Sequence, residues 1–329
     1  MLDFNRNPQI FPHAIDAIPM SNSLLPLVES RAYWDNQTVE VRLQASQDTV
    51  TDWAKNKLQW ELSGVVGVER IKPIRIGSTA EPQFGSIRIP MSRVQATRLL
   101  LLKLTLINDA DCEISCNQTD LLVLPSKAAQ ARYDGCLTVL TYDGDEATII
   151  RQLNYEVETQ LRPHTDLVVT NCPDAASLEW VQAGGRMLFI CEDEFSPFFQ
   201  RGRGGASDGN WIKSFSWMRP EVFSHLKIDN PLNLPLRRVM PTGSIVGLDC
   251  ENPFENEDFL AGQISGWVQR PAIHTVQFRY GEGRVIMTTY ALLESLRFGD
   301  VDPVGVVMFN DLVDYLGSDR CQPNLTLTS

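Results

Sequence analysis

Apolar and polar positions along this chain follow two different rhythms. From Arg31 to about Leu124 they alternate: Val39, Val41, Leu43 and Ala45 fall on one side, with Glu40, Arg42 and Gln44 on the other. Leu58, Trp60 and Leu62 repeat the scheme, as do Ile74 with Ile76, Ile87 with Ile89, Leu100 through Leu106 at even positions, and Leu122 with Leu124. A period of two places successive side chains on opposite faces of a strand, so a half-buried antiparallel sheet is predicted. Short strands separated by turn-rich spacers predict an immunoglobulin-like β-sandwich over 31–125. Beyond the linker the rhythm changes. Cys136–Thr141 (CLTVLT), Asp166–Thr170 (DLVVT) and Met187–Cys191 (MLFIC) are continuous apolar runs alternating with helical patterns. Such runs indicate strands covered on both faces, and hence a parallel sheet.

The connecting elements follow from local signals. Residues 1–30 carry Pro8, Pro12, Pro19 and Pro26 and read as an irregular lead-in, and 126–135 (SKAAQARYDG) as a linker. Asp145 is the expected N-cap of a helix over 146–153. Ala175–Ala183 is a second helix, stopped by Gly184-Gly185. Ile273–Tyr280 and Arg284–Tyr290 flank Gly281-Glu282-Gly283 as a hairpin. Pro303 opens a last helix to Leu316, with Val306, Val307, Phe309, Leu312, Val313 and Leu316 apolar. The second domain therefore spans 136–320, with an insertion at 192–270 and a short tail over 321–329.

Composition narrows the partners. The chain has 329 residues and a net charge of −12, from Asp+Glu 41 against Lys+Arg 29. A phosphate-backbone partner needs a concentrated cationic surface, so no nucleic acid is expected. No apolar run approaches the ~20 residues that span a bilayer, so no membrane partner is expected either. Seven cysteines, scattered without a paired framework, favour a reduced and hence cytoplasmic setting. Cys112 and Cys116 form a lone C-x3-C with no second pair, too few ligands for zinc, and no metal or cofactor is expected.

Ligands of parallel sheets gather at the carboxyl ends of the strands. Here those ends read Tyr142-Asp143-Gly144, Asn171-Cys172-Pro173 and Glu192-Asp193-Glu194. Cys191, ending a buried strand, is the one candidate nucleophile. A strained elbow wants small neighbours, yet Phe189 and Asp193 lie two positions away. Glu192 and Asp193 would raise the thiol's pKa by repelling the thiolate. A buried structural Cys191 is the reading adopted. His274 lies in a strand and reads as a histidine satisfied by its neighbours, and His164 and His225 lie in loops without a specific signal. Glu192 and Asp193 are the acidic strand-end candidates, and Trp211, Trp217 and Trp267 the aromatic ones, since flat rings can stack on a sugar. The competing reading of these tryptophans is core packing of the insertion.

Two stretches carry a resemblance. The opening LDFNRNPQIFPHAIDAI, followed by Arg31-Ala32-Tyr33, resembles the segment leaving the catalytic barrel of bacterial glycoside hydrolase family 2 enzymes. GGRMLFI, the SFSWMRPEVF and LAGQISGW insertion, and RYGEGRVIMTTY resemble C-terminal domains appended to such hydrolases. Those domains are similar to class I glutamine amidotransferase-like and ThuA-like folds. The resemblance implies a flavodoxin-like α/β domain after the sandwich, and a chain that begins where a barrel would finish, as a fragment or a split-gene product. The barrel's glutamates therefore have no counterpart here. The Gly-x-Cys-x-Gly elbow of the amidotransferases is replaced by Phe189-Ile190-Cys191-Glu192-Asp193, and their His-x-Glu pair by His274-Thr275-Val276.

The expectation is a noncatalytic accessory or oligomerisation region of a β-galactosidase-like enzyme in carbohydrate metabolism. Its partner would be a catalytic barrel, in the same or a separate chain, or a second copy of itself. Two alternatives stand beside it: a stand-alone carbohydrate-binding module using the insertion, and a cryptic thiol enzyme at Cys191.

Overall fold

A computed structural model describes residues 22–47, 57–62, 65–70, 83–142, 145–191, 199–201, 213–228, 234–248, 255–265, 270–297 and 301–327. These residues are mostly β-sheet with few helices. The chain divides into two compact units, Met1–Val94 with Arg98–Val123, and Gln95–Thr97 with Leu124–Ser329.

The first unit is an antiparallel sandwich. One sheet has three strands, β1 (Asn22–Leu27), β3 (Thr38–Gln47) and β6 (Gln83–Pro90), in the order β1-β3-β6. The other has five: β2 (Ala32–Trp34), β8 (Glu113–Leu124), β7 (Arg98–Ile107), β4 (Lys57–Leu62) and β5 (Val65–Arg70), ordered β2-β8-β7-β4-β5. Alternation builds the core between them. Val39, Val41, Leu43, Ile87 and Ile89 from the first sheet meet Leu58, Trp60, Leu62, Leu102, Leu104 and Leu106 from the second. The strand at Ile74 and Ile76 lies outside the described residues. Two strands escape the pattern in the sequence. Asn22–Leu27 belongs to the stretch read as irregular lead-in, yet it pairs along its whole length with Arg42–Gln47 of β3. Pro26 is tolerated there because β1 is an edge strand, where one face of its ladder needs no donor. Val65–Arg70 also pairs antiparallel with β4, at the other sheet's edge.

The second unit is built on a mixed sheet. Its parallel part contains β9 (Leu137–Leu140), β10 (Val157–Glu158), β11 (Leu167–Thr170), β12 (Arg186–Ile190) and β18 (Gly283–Thr288), in the order β10-β9-β11-β12-β18. The antiparallel part continues from β18 through β17 (Arg270–Tyr280) to β15 (Gly243–Ile245) and β13 (Phe199–Arg201). Strands β14 (Lys213–Met218) and β16 (Phe259–Ser265) join through β17, and β19 (Thr326–Leu327) lies parallel to β17.

Four helices belong to this unit among the described residues: α1 (Glu146–Gln152), α2 (Ala175–Gln182), α3 (Leu292–Arg297) and α4 (Pro303–Gly317). Asp145 does not cap α1, contrary to expectation: its own backbone is helical (φ −70°, ψ −27°), and its side chain accepts no cap bond. Helix α2 instead has a full capping box, in which Asp174 accepts from the Ser177 amide and the Ser177 hydroxyl accepts from the Asp174 amide. Helix α4 starts with Asp302 accepting from the Val304 and Gly305 amides. It is buried nearly all round, as an apolar helix within a layered unit should be. On one face of the sheet Met187, Val285, Met287, Val276 and Phe278 cluster with Val181 of α2 and with Trp217 and Phe259 of the insertion. Alternation turns Leu188, Ile190 and Ile286, also buried, to the opposite face.

Candidate functional site

Parallel pairing aligns the carboxyl ends of β9, β11, β12 and β18 along one edge, where α/β sheets hold their ligands. At the end of β9, Glu146 is 1% exposed; its carboxylate accepts from the Thr141 hydroxyl at 2.7 Å and is ion-paired with Arg297. The exposed Tyr142 donates its amide to Asn171 Oδ1 at 3.3 Å, which links the ends of β9 and β11. Cys172 donates its amide to Thr170 Oγ1 and its thiol to the Leu140 carbonyl, at 3.0 and 3.7 Å.

Cys191 follows β12 directly and is 2% exposed, packed in the apolar cluster on the sheet. Its amide donates to the Thr288 carbonyl at 2.7 Å, continuing the ladder between β12 and β18. The backbone at Cys191 thus extends a strand. Glu192 and Asp193, the acidic candidates beside it, lie outside the described residues.

His274 on β17 stands next to this edge. It is wholly buried, with Nδ1 3.0 Å from the Gly243 carbonyl, which also accepts from Thr289 Oγ1 at 2.8 Å. A carbonyl only accepts, so Nδ1 carries the proton and Nε2 presents a lone pair. That Nε2 has no hydrogen-bond partner, which corrects the expectation of a fully satisfied histidine. The neighbouring ring is Tyr290, edge-on at 6.0 Å between centroids, and its buried hydroxyl is likewise unpartnered. Burial pulls the imidazole down to about 4, outweighing the Gly243 bond, so His274 is neutral and a weak base at pH 7.

Of the three tryptophans, Trp217 is described. It is 9% exposed, in the core cluster of the sheet, with Nε1 3.5 Å from the Phe259 carbonyl and its ring filling the space above Gly262. It is therefore a packing residue. Trp211 and Trp267 lie outside the described residues. Cys112 is exposed and Cys116 half-buried, and no group of three metal-ligating side chains occurs among the described residues.

A second cluster, not expected from the sequence, is centred on Asp311 of α4. This carboxylate is 1% exposed and accepts from Arg132 Nη2 at 2.5 Å, the His225 amide at 3.1 Å and His225 Nδ1 at 2.7 Å. Ser224 Oγ lies 2.9 Å from the same Nδ1. Serine, histidine and aspartate meet here, but serine and carboxylate share one ring nitrogen. A relay needs them on opposite nitrogens, so the cluster cannot activate the serine. Its role is anchorage: next to it on α4, Asn310 donates to the carbonyls of Ala128, Ala129 and Gln130 and accepts from the Tyr155 hydroxyl. Adjacent Ser224-His225 was the only available sequence signal, and 86 positions separate His225 from Asp311.

No protein-family model and no curated protein matches this chain. Among solved structures, it is similar to the fibronectin(III)-like modules of Clostridium thermocellum CbhA at 11% identity, over 31% of this chain and 94% of that one, with a TM-score of 0.20. The CARDB domain of the PF1109 protein from Pyrococcus furiosus gives 9% identity over 32% of this chain and 86% of that one, with a TM-score of 0.22. A sialyltransferase from Photobacterium damsela gives 12% over 51% of this chain and 31% of that one, with a TM-score of 0.18. Superpositions this poor carry no argument about fold or activity.

Proposed function

We propose that this chain is a noncatalytic accessory region of a glycoside hydrolase family 2-like enzyme. In this reading an immunoglobulin-like sandwich is followed by a flavodoxin-like, amidotransferase-type domain. The observation that carries the proposal is that, among the described residues, the strand-end groups Cys191, His274 and Glu146 are committed to structure. Cys191 continues the β12–β18 ladder inside an apolar cluster. His274 is held neutral in the interior, and Glu146 is taken up by Arg297 and Thr141. Numbered by appearance, the parallel strands run 2-1-3-4-5, the order of flavodoxin-like doubly wound sheets, which supports the domain reading. Fold alone does not supply an activity, so the assignment rests on the state of these groups.

The chain's work is then to pack against a catalytic barrel or to build an oligomer. The test is co-purification with a barrel-bearing polypeptide encoded at the same locus. Co-elution in a defined ratio, with no sugar hydrolysis by this chain alone, is the expected result. Robust glycosidase turnover by the isolated chain overturns the proposal, as does a monodisperse monomer that ignores the barrel. The thiol-enzyme alternative is checked by Cys191→Ala, whose hydrolysis of glutamine and simple esters is expected to equal that of the parent chain.

A further inference from the structure

Away from the strand ends that carry chemistry, the sheet of the second unit has an unusual row of charge. Arg186 of β12 is in register with Arg284 of β18, and Arg284 with Arg279 of β17. Residues in register on neighbouring strands point to the same face, so three arginine side chains leave one face of the sheet from three adjacent strands. Like charges placed directly opposite one another destabilise a sheet. Such a row costs stability unless something negative offsets it.

The protein supplies little of that. Arg186 donates to the Gly317 carbonyl at 2.5 Å, at the carboxyl end of α4, and to the Tyr133 hydroxyl, and Arg279 donates to the Pro323 carbonyl at 3.0 Å. These are dipoles and carry no full charge. Arg284, between the two, has a buried Nη1 with no hydrogen-bond partner. None of the three makes an ion pair among the described residues. Cys321 lies within the field of Arg186 and Arg284, but burial pushes its thiol up to about 12, so it stays protonated. Asp258 acts on the same thiol, yet its oxygens already accept from Gln277 Nε2 and from the Asn324 and Leu325 amides.

We infer that Arg186, Arg284 and Arg279 form a binding site for a small oxyanion of the phosphate class, as free phosphate or as the phosphate group of a metabolite. Planar guanidinium forks match the oxygens of such an anion. Arg279 is exposed and Arg186 and Arg284 are half-buried, so the row is most open to solvent at the Arg279 end. The site is independent of the accessory role proposed above.

The test is thermal unfolding of the full chain in potassium phosphate against potassium chloride at matched ionic strength, with binding followed directly by 31P NMR. Selective binding to the native state should raise Tm with the logarithm of phosphate concentration above Kd, by roughly 5 °C at a hundredfold excess. Arg284→Met should abolish this rise, while Arg88→Met, on the first unit, should keep it. Should Arg284→Met fail to fold, Arg284→Lys takes its place and should weaken phosphate binding at least tenfold. Glucose 6-phosphate in competition separates the two sources: displacement at lower concentration than inorganic phosphate identifies a metabolite site, and weaker displacement a site for the free ion. Equal responses to phosphate and chloride, or an undiminished response in the Arg284 variant, overturn the inference.

Discussion

His274 shows how one buried residue makes stability depend on pH. In the unfolded chain its imidazole takes up a proton near 6.5, while in the folded protein it does so only near 4, because burial disfavours the charged ring. Between those values the unfolded state binds more protons, so acid draws the chain toward it. The stabilisation is complete above pH 6.5 and is lost as pH falls toward 4, by about 3 kcal/mol in all. His274→Asn can still donate to the Gly243 carbonyl but does not titrate in this window. Urea unfolding at pH 7 and pH 4 should therefore show wild type losing about 3 kcal/mol more than the variant; equal losses would mean that the imidazole protonates in the folded protein. His274 in a strand and Cys191 at a buried strand end are legible in the sequence, because both need only local apolar runs. The sequence could not place Gly243 or Tyr290 around the imidazole, nor join His225 to Asp311, because those contacts are made by distant stretches of chain.

At the scale of elements, the parallel strands β9, β11 and β12, helix α4 and the β17–β18 hairpin were legible, because each has an uninterrupted apolar period or a strong turn signal. Edge strands were not. Pro26 in β1 and Gly67 in β5 are residues that interior strands avoid, and they are accepted here because both strands lie at sheet edges. The hairpin turn is shorter than the glycine triplet suggested: Tyr280 pairs with Gly283, leaving Gly281 and Glu282 as the loop. Gly281 has φ +61°, which the first central position of a II′ turn reserves for glycine. Gly283 is needed for a different reason. A Cβ there would run into the backbone carbonyls of Val181 and Gly185, where the end of α2 meets the hairpin. Backbone cannot swing aside as a side chain can, so Gly283→Ala is expected to cost about 3 kcal/mol, at the upper end of overpacking effects. Denaturant unfolding measures it: the midpoint should fall with an unchanged m-value, whereas a variant as stable as wild type would show that α2 can move away from the turn.

For the molecule as a whole, two cores are drawn from separate stretches of chain. Leu102, Leu104 and Leu106 close the sandwich core together with Val39, Val41, Ile87 and Ile89, while Val168, Met187, Val285 and Phe278 belong to the core of the mixed sheet. Alternation in one half and continuous apolar runs in the other had already separated these two sets in the sequence, since the period of burial reports whether one or both faces of a sheet are covered. A hole made in one core removes contacts only from the residues that line it. Leu104 is wholly buried, and truncating such a leucine to alanine costs about 2–5 kcal/mol through lost transfer energy and the cavity left behind. Leu104→Ala should therefore speed amide hydrogen exchange in β3, β4, β6, β7 and β8, while β9, β11, β12 and β18 keep their protection. Peptide-resolved exchange at low denaturant reads both sets in one experiment. Equal loss of protection in the two sets would mean that the chain opens as a single cooperative body, and the division into two cores would then describe its packing without describing its energetics.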